Sequence, residues 1–79
     1  MSIVDTIDYN VVDTVPGDRL ELNDNILFTD EDGELHQGTI TFIEDIGDCY
    51  DVTAYSETVG EKVDTIIDYD QDVELWQWR

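Results

Sequence analysis

A chain of 79 residues carrying 21 Asp and Glu against three Lys and Arg, net charge −18, has room for one small domain and excludes a catalytic domain paired with a substrate domain. A hydrophobic fraction of 41% with two Trp, four Tyr and two Phe excludes a disordered acidic tail, and a lone Cys49 excludes an internal disulfide or a zinc knuckle. The segment Met1 to Tyr9 has no basic start and already contains Asp5 and Asp8, unlike a signal peptide, and the apolar run Gly38 to Ile43 is far short of a membrane span, so the expected location is cytoplasmic with no membrane contact.

The first stretch, SIVDTIDYNVVDTV, places apolar residues at Ile3, Ile7, Tyr9 and Val11 with Asp5 interrupting, the pattern of a charged edge strand. Residues 1–15 therefore read as an N-terminal edge strand or a dimerisation arm, and residues 16–79 as the barrel proper. Val15-Pro16-Gly17-Asp18 reads as a turn, Pro presetting φ at its second position and Gly accepting positive φ at its third. Arg19 to Leu22 then reads as a short strand with Leu20 and Leu22 on one face. After the polar Asn23-Asp24-Asn25, Ile26 to Thr29 forms a short extended piece. Asp32-Gly33 is the strongest hairpin signal in the chain, pairing Leu35 to Gln37 back on Ile26 to Phe28.

The longest strand pattern is Gly38 to Ser56, GTITFIEDIGDCYDVTAYS. Its β-branched and aromatic runs flank Gly47 and read as a hairpin. A loop of about three residues, Ile46 to Asp48, with Gly47 at positive φ, makes facing positions sum to an even number. Phe42 then faces Val52 and Ile40 faces Ala54, leaving Thr41, Thr53, Asp45, Asp51 and Tyr55 on the wetter side. Beyond the Glu57 to Glu61 turn, Val63, Thr65, Ile67 and Tyr69 share a face and Ile66 opposes them. Asp70-Gln71-Asp72 turns the chain into Val73 to Trp78, with Val73 and Leu75 on one face and Trp76 and Trp78 on the other. No window has helical spacing, so the expected helix is at most a single turn near Asp70.

These elements predict an all-β fold, a small barrel of about five to seven short antiparallel strands with almost no helix and room for an extra N-terminal edge strand. Pro16-Gly17-Asp18-Arg19-Leu20, the Gly38 to Ser56 hairpin and the closing Val73-Glu74-Leu75-Trp76 resemble, in that order, the SH3-like barrels of Tudor and KOW type. Val4-Asp5-Thr6-Ile7-Asp8-Tyr9 echoes Val63 to Tyr69 with one extra Ile; a single occurrence does not make a repeat array, and this composition produces such echoes by chance.

The acids interrupt every segment, from Asp5 and Asp8 through Asp30 to Glu34, Asp45 to Asp51 and Asp64 to Glu74. A nucleic-acid mimic would gather them on one side. The excess of Asp, the near absence of Lys and the lack of any basic cluster resemble proteins of salt-in halophiles, notably the haloarchaea. That resemblance implies adaptation to brine, in which screening over about 3 Å at 1 M salt relieves the repulsion that would otherwise oppose compaction.

Asp68-Tyr69-Asp70-Gln71-Asp72 offers alternate oxygens as a calcium loop does, but Val73 stands where the loop needs Gly and Arg79 where it needs the bidentate acid. Asp30-Glu31-Asp32-Gly33 has Phe28 at its first ligand position. Loosely bound cations are expected, with no cofactor and no specific metal site. Cys49 sits beside Asp48 and Asp51, whose charge raises a thiol's pKa, and His36 reads as a surface residue among acids. Neither suggests an enzyme. Trp76 and Trp78 share a face; with Tyr55 on the outer side of the long hairpin and Tyr9 on the N-terminal strand they are the candidate binding residues, an aromatic surface suited to protein recognition or self-association. The alternative places Trp76 and Trp78 in the core. The expected function is a non-catalytic interaction module whose partner is an unidentified protein or a second copy of the chain. Two alternatives stay open: an acidic nucleic-acid mimic inhibiting a DNA-binding enzyme, and a Tudor- or KOW-like nucleic-acid binder, for which no Lys or Arg patch supplies counterion release.

Overall fold

The computed structural model describes residues 9–78 and is all-β. Its strands are β1 (Tyr9–Pro16), β2 (Asn25–Thr29), β3 (Leu35–Asp45), β4 (Cys49–Ser56), β5 (Glu61–Asp68) and β6 (Asp72–Trp78). They form one antiparallel sheet in the order β1-β6-β2-β3-β4-β5. The sheet is open but strongly bent: the Thr65 hydroxyl of β5 donates to the Thr29 carbonyl oxygen of β2 at 3.2 Å, although β3 and β4 lie between those strands in the sheet. The result is the small, barrel-like all-β fold that the strand and turn pattern predicts. No helix among the described residues is long and apolar enough to cross a membrane.

The N-terminal strand occupies the sheet edge on β6, pairing Tyr9 with Trp78 and Val15 with Val73. A bulge at Val12 shifts its register. The expected strand residues before Tyr9, and with them the first members of the Val4 to Tyr9 echo, lie outside the described residues.

Asp32-Gly33 does form the β2–β3 hairpin. Gly33 N–H donates to Asp30 O and Asp30 N–H to Glu34 O, each at 3.0 Å, and the paired residues include Leu27 with Gln37 and Phe28 with His36. The β3–β4 hairpin departs from the simple parity argument. Gly47 takes φ +119° as expected, but Ile46 N–H donates to Cys49 O at 3.0 Å, so the turn is one residue tighter and Asp45 pairs with Tyr50. A bulge at Thr41 then restores the expected match of Ile40 with Ala54. Between turn and bulge the faces are exchanged: Ile43, not Phe42, pairs with Val52, and Phe42 is 47% exposed.

Three further expectations fail. Gly17 is not at positive φ; it opens a 3₁₀ turn over Gly17–Arg19, the helical turn among the described residues, whereas the expected one lay near Asp70. Gly is needed there for closeness, because a Cβ would collide with the Asp68 carbonyl oxygen and sit 2.9 Å from an Ile67 methyl. Nor is Arg19 to Leu22 a strand. The chain turns tightly there, Glu21 N–H donating to the Asp24 carboxylate, and Leu20 is buried while Leu22 is exposed.

The core gathers Leu20, Ile26, Phe28, Ile40, Val52, Ala54, Ile67 and Val73, with Val15, Ile43, Tyr50, Val63 and Leu75 packed against it. The β5 alternation holds, with Ile67 inside and Ile66 exposed.

Candidate functional site

Residues paired across antiparallel strands share a face. Since Ile26 and Leu75 pair on the core side, the neighbouring pairs define the opposite, outer face. Tyr9 with Trp78 and Val11 with Trp76 lie on it, as do Leu27 with Glu74, Leu27 with Gln37 and Asn25 with Thr39, and Thr39 with Tyr55. All four candidate aromatics therefore occur on one face.

They do not play one role there. The Trp76 ring packs edge-on against Tyr9 and Trp78, with centroids 6.0 and 4.9 Å away. Its indole N–H donates to the carbonyl oxygens of Ile26 and Gly38, each at 3.1 Å. Trp76 is thus fixed over β2 and β3, and buried. Trp78, one turn of the pleat further, is 53% exposed. Tyr55 is also exposed, makes no ring contact among the described residues, and lies roughly 14 Å away by strand spacing. The aromatic contact surface accordingly centres on Tyr9 and Trp78, with Trp76 as its anchor and the exposed Val11 and Val12 of β1 beside it.

Beneath the same face lies Gln37, 2% exposed, whose side-chain oxygen and nitrogen have no hydrogen-bond partner. Its backbone is satisfied, donating to Thr58 Oγ1 at 3.0 Å and accepting from Glu57 N–H at 2.7 Å.

The core side of β3 carries a second group. His36 is not a surface residue but 2% exposed: strand parity puts it on the face of Ile40, and its ring stacks on Phe28 with centroids 5.2 Å apart. Nδ1 lies 2.8 Å from Ser56 Oγ and Nε2 2.8 Å from Asp30 Oδ2. The other Asp30 oxygen accepts the backbone N–H groups of Asp32 and Glu34. Chiefly through the His36 bond, and then the Glu34 N–H, the Asp30 carboxyl is held below its ordinary range despite partial burial. Ser, His and Asp here are not arranged for attack on a substrate. The Ser56 hydroxyl is fully buried and also accepts Val59 N–H at 3.3 Å. The trio ties the β2–β3 turn to the end of β4. The sequence signal for it was the strand parity linking His36 to Ile40; the Phe28 to His36 pairing follows from the closure of the turn at Asp30 and Glu34.

Cys49 opens β4 at the opposite end from Ser56, roughly 20 Å from the imidazole at about 3.3 Å per residue. Burial, followed by the neighbouring carboxylate of Asp48 and the charges of Asp68 and Asp45, pushes its thiol pKa up, the direction expected from sequence. Cys49 and His36 are not brought together.

A cleft of about 440 Å³ runs between the β2–β3 turn and β5, lined by Thr29, Asp30, Glu31, Asp51, Asp64, Thr65, Ile66 and Gln71. A neighbouring one of about 340 Å³ adds Asp32 and Val63. No protein family matches this chain, and no curated protein or solved structure shows significant similarity to it.

Proposed function

We propose that this protein is a non-catalytic interaction module adapted to high salt, which binds protein or self-associates through the aromatic surface on β1 and β6. The observation that carries this reading is the half-exposed Trp78, held in edge contact with the anchored Trp76 on the face it shares with Tyr9. A large apolar ring presented on a rigid strand gives binding area at low entropic cost. The adjoining sheet edge favours the same use. Of the two edge strands, β5 carries Glu61, Lys62, Asp64 and Asp68, which discourage strand pairing, whereas β1, YNVVDTVP, has Asp13 as its sole charge. In a chain of net charge −18, that edge, with Asp13 its single charge, beside exposed Val11, Val12 and Trp78 is where another chain meets least repulsion. Dissolved salt weakens the remaining repulsion and strengthens apolar contact.

Tryptophan emission tests the reading. Trp78 should emit as a hydrated indole in dilute protein and shift to the blue as concentration rises in about 2 M KCl, where charge repulsion is screened. Emission that does not change with concentration, and is unaffected by Trp78→Phe, would refute self-association through this face.

The acid-lined clefts favour a second reading, an acidic decoy for a basic nucleic-acid-binding protein. Asp30, Glu31, Asp51 and Asp64 converge on one side of the barrel. That reading requires competition with DNA to be lost on neutralising those acids together and kept when an equal number are neutralised elsewhere.

A further inference from the structure

In a chain with 21 acids, two neighbouring carboxylates point to nothing. The turn between β2 and β3 holds something different. The ligand atoms of Asp30, Glu34 and His36 lie within 4.8 Å of one another, and one of them belongs to the chain's single histidine, a ring 2% exposed with Nε2 aimed at the carboxylates. The imidazole is oriented from outside the group, by Ser56 Oγ at Nδ1 and by the Phe28 ring beneath it. Asp30 is equally constrained, its Oδ1 taken by two backbone N–H groups at 2.9 and 3.0 Å, which leaves Oδ2 facing Nε2. Asp30 also forms part of both cleft walls, so solvent reaches it, and the exposed Glu34 stands beside it.

We propose that Asp30, Glu34 and His36 bind a divalent transition cation of the zinc class. One imidazole nitrogen and two carboxylate oxygens suit such an ion and leave positions for water, whereas magnesium and calcium favour oxygen ligands throughout. A hydrogen bond donated by the far ring N–H to an acceptor, here Ser56 Oγ, is the usual outer support of a metal-bound histidine. In the bound form the cation takes the Nε2 lone pair and the remaining ring proton sits on Nδ1, donated to Ser56 Oγ. This site is independent of the aromatic face on the other side of the sheet.

The experiment is a Zn²⁺ titration of the full chain in about 1 M KCl, where diffuse attraction to the acidic surface is screened, followed by ¹⁵N NMR of the imidazole. With one histidine in the chain the signal has a single source. The expected result is a stoichiometric shift of Nε2 with the proton on Nδ1, affinity lowered at least about tenfold by Glu34→Gln, and affinity unchanged by Glu31→Gln, which removes the same charge from the same turn. An unshifted imidazole, or equal weakening by both substitutions, would show diffuse binding to acids and overturn the assignment.

Discussion

Trp76 and Trp78 are two residues apart on one face of β6, their ring centroids 4.9 Å apart and their planes at 83°, yet one is 2% exposed and the other 53%. The buried ring also supplies the N–H that satisfies two carbonyl oxygens. Trp76→Ala should therefore cost about 3–5 kcal/mol, the range for truncating a buried aromatic. Trp78→Ala should leave stability within about 0.5–1 kcal/mol. Urea midpoints of the two variants in the same salt check the contrast, and similar losses would mean that both rings belong to the fold.

Gly17 packs against the Asp68 carbonyl and donates its N–H to Gln71 O at 2.8 Å. Because the obstructing atom is backbone, Gly17→Ala should destabilise by about 3 kcal/mol or more. Gly47→Ala is the useful comparison: nothing lies within 4 Å of a Cβ there, so its cost is limited to strain at positive φ, about 1 kcal/mol. Thermal midpoints separate the two mechanisms.

Gln37 buries an amide with no partner, a cost of about 1–3 kcal/mol. Gln37→Met, similar in length and without the amide, should hold or raise the unfolding midpoint. A clear loss of stability would mean that the amide is bonded in solution.

Tyr69 donates its hydroxyl to the Asp45 carboxylate. That bond, reinforced by partial burial and by the nearby charge of Asp45, raises the phenol's pKa to about 12, and the same bond lowers that of Asp45. A phenol whose folded pKa lies above its unfolded value of 10.0 stabilises the protein fully below that value and loses the effect as pH rises through the folded one. The Asp45 contribution is present above its ordinary value of 3.8 and fades as pH falls. Absorbance titration at alkaline pH should show one tyrosine ionising late, and Tyr69→Phe should abolish that step.

Much of the fold was legible because turn chemistry and alternation agree. Asp32-Gly33 and Gly47 each locate a turn and the strands beside it, and the Val63 to Ile67 alternation locates a strand and its face. Parity failed between Thr41 and Gly47, where a tighter turn and a bulge each shift the register by one residue and together cancel. Counting from either end gives the right pair at Ile40 and Ala54 and the wrong face at Phe42. The Arg19 to Leu22 strand failed for a different reason: alternation over a few residues resembles a strand even where the backbone's hydrogen bonds close a turn. The aromatic face was legible from the spacing of Trp76 and Trp78. The unequal burial of the pair was not, because it depends on Tyr9 and on carbonyls of two other strands. His36 was misjudged from its acidic sequence neighbours, although in a strand the neighbours at two-residue spacing, here Gly38 and Ile40, decide the face.

The central claim is that the Tyr9 and Trp78 surface, with the sparsely charged β1 edge, is where this chain meets another. Sedimentation equilibrium in about 2 M KCl, well beyond full screening, tests it on the unmodified chain and on Trp78→Ala. The account predicts reversible association of the native chain, weakened at least about tenfold, or about 1.4 kcal/mol, in a variant that remains fully folded. A native chain that stays monomeric at every concentration, or a variant that associates as strongly as the native chain, would contradict it.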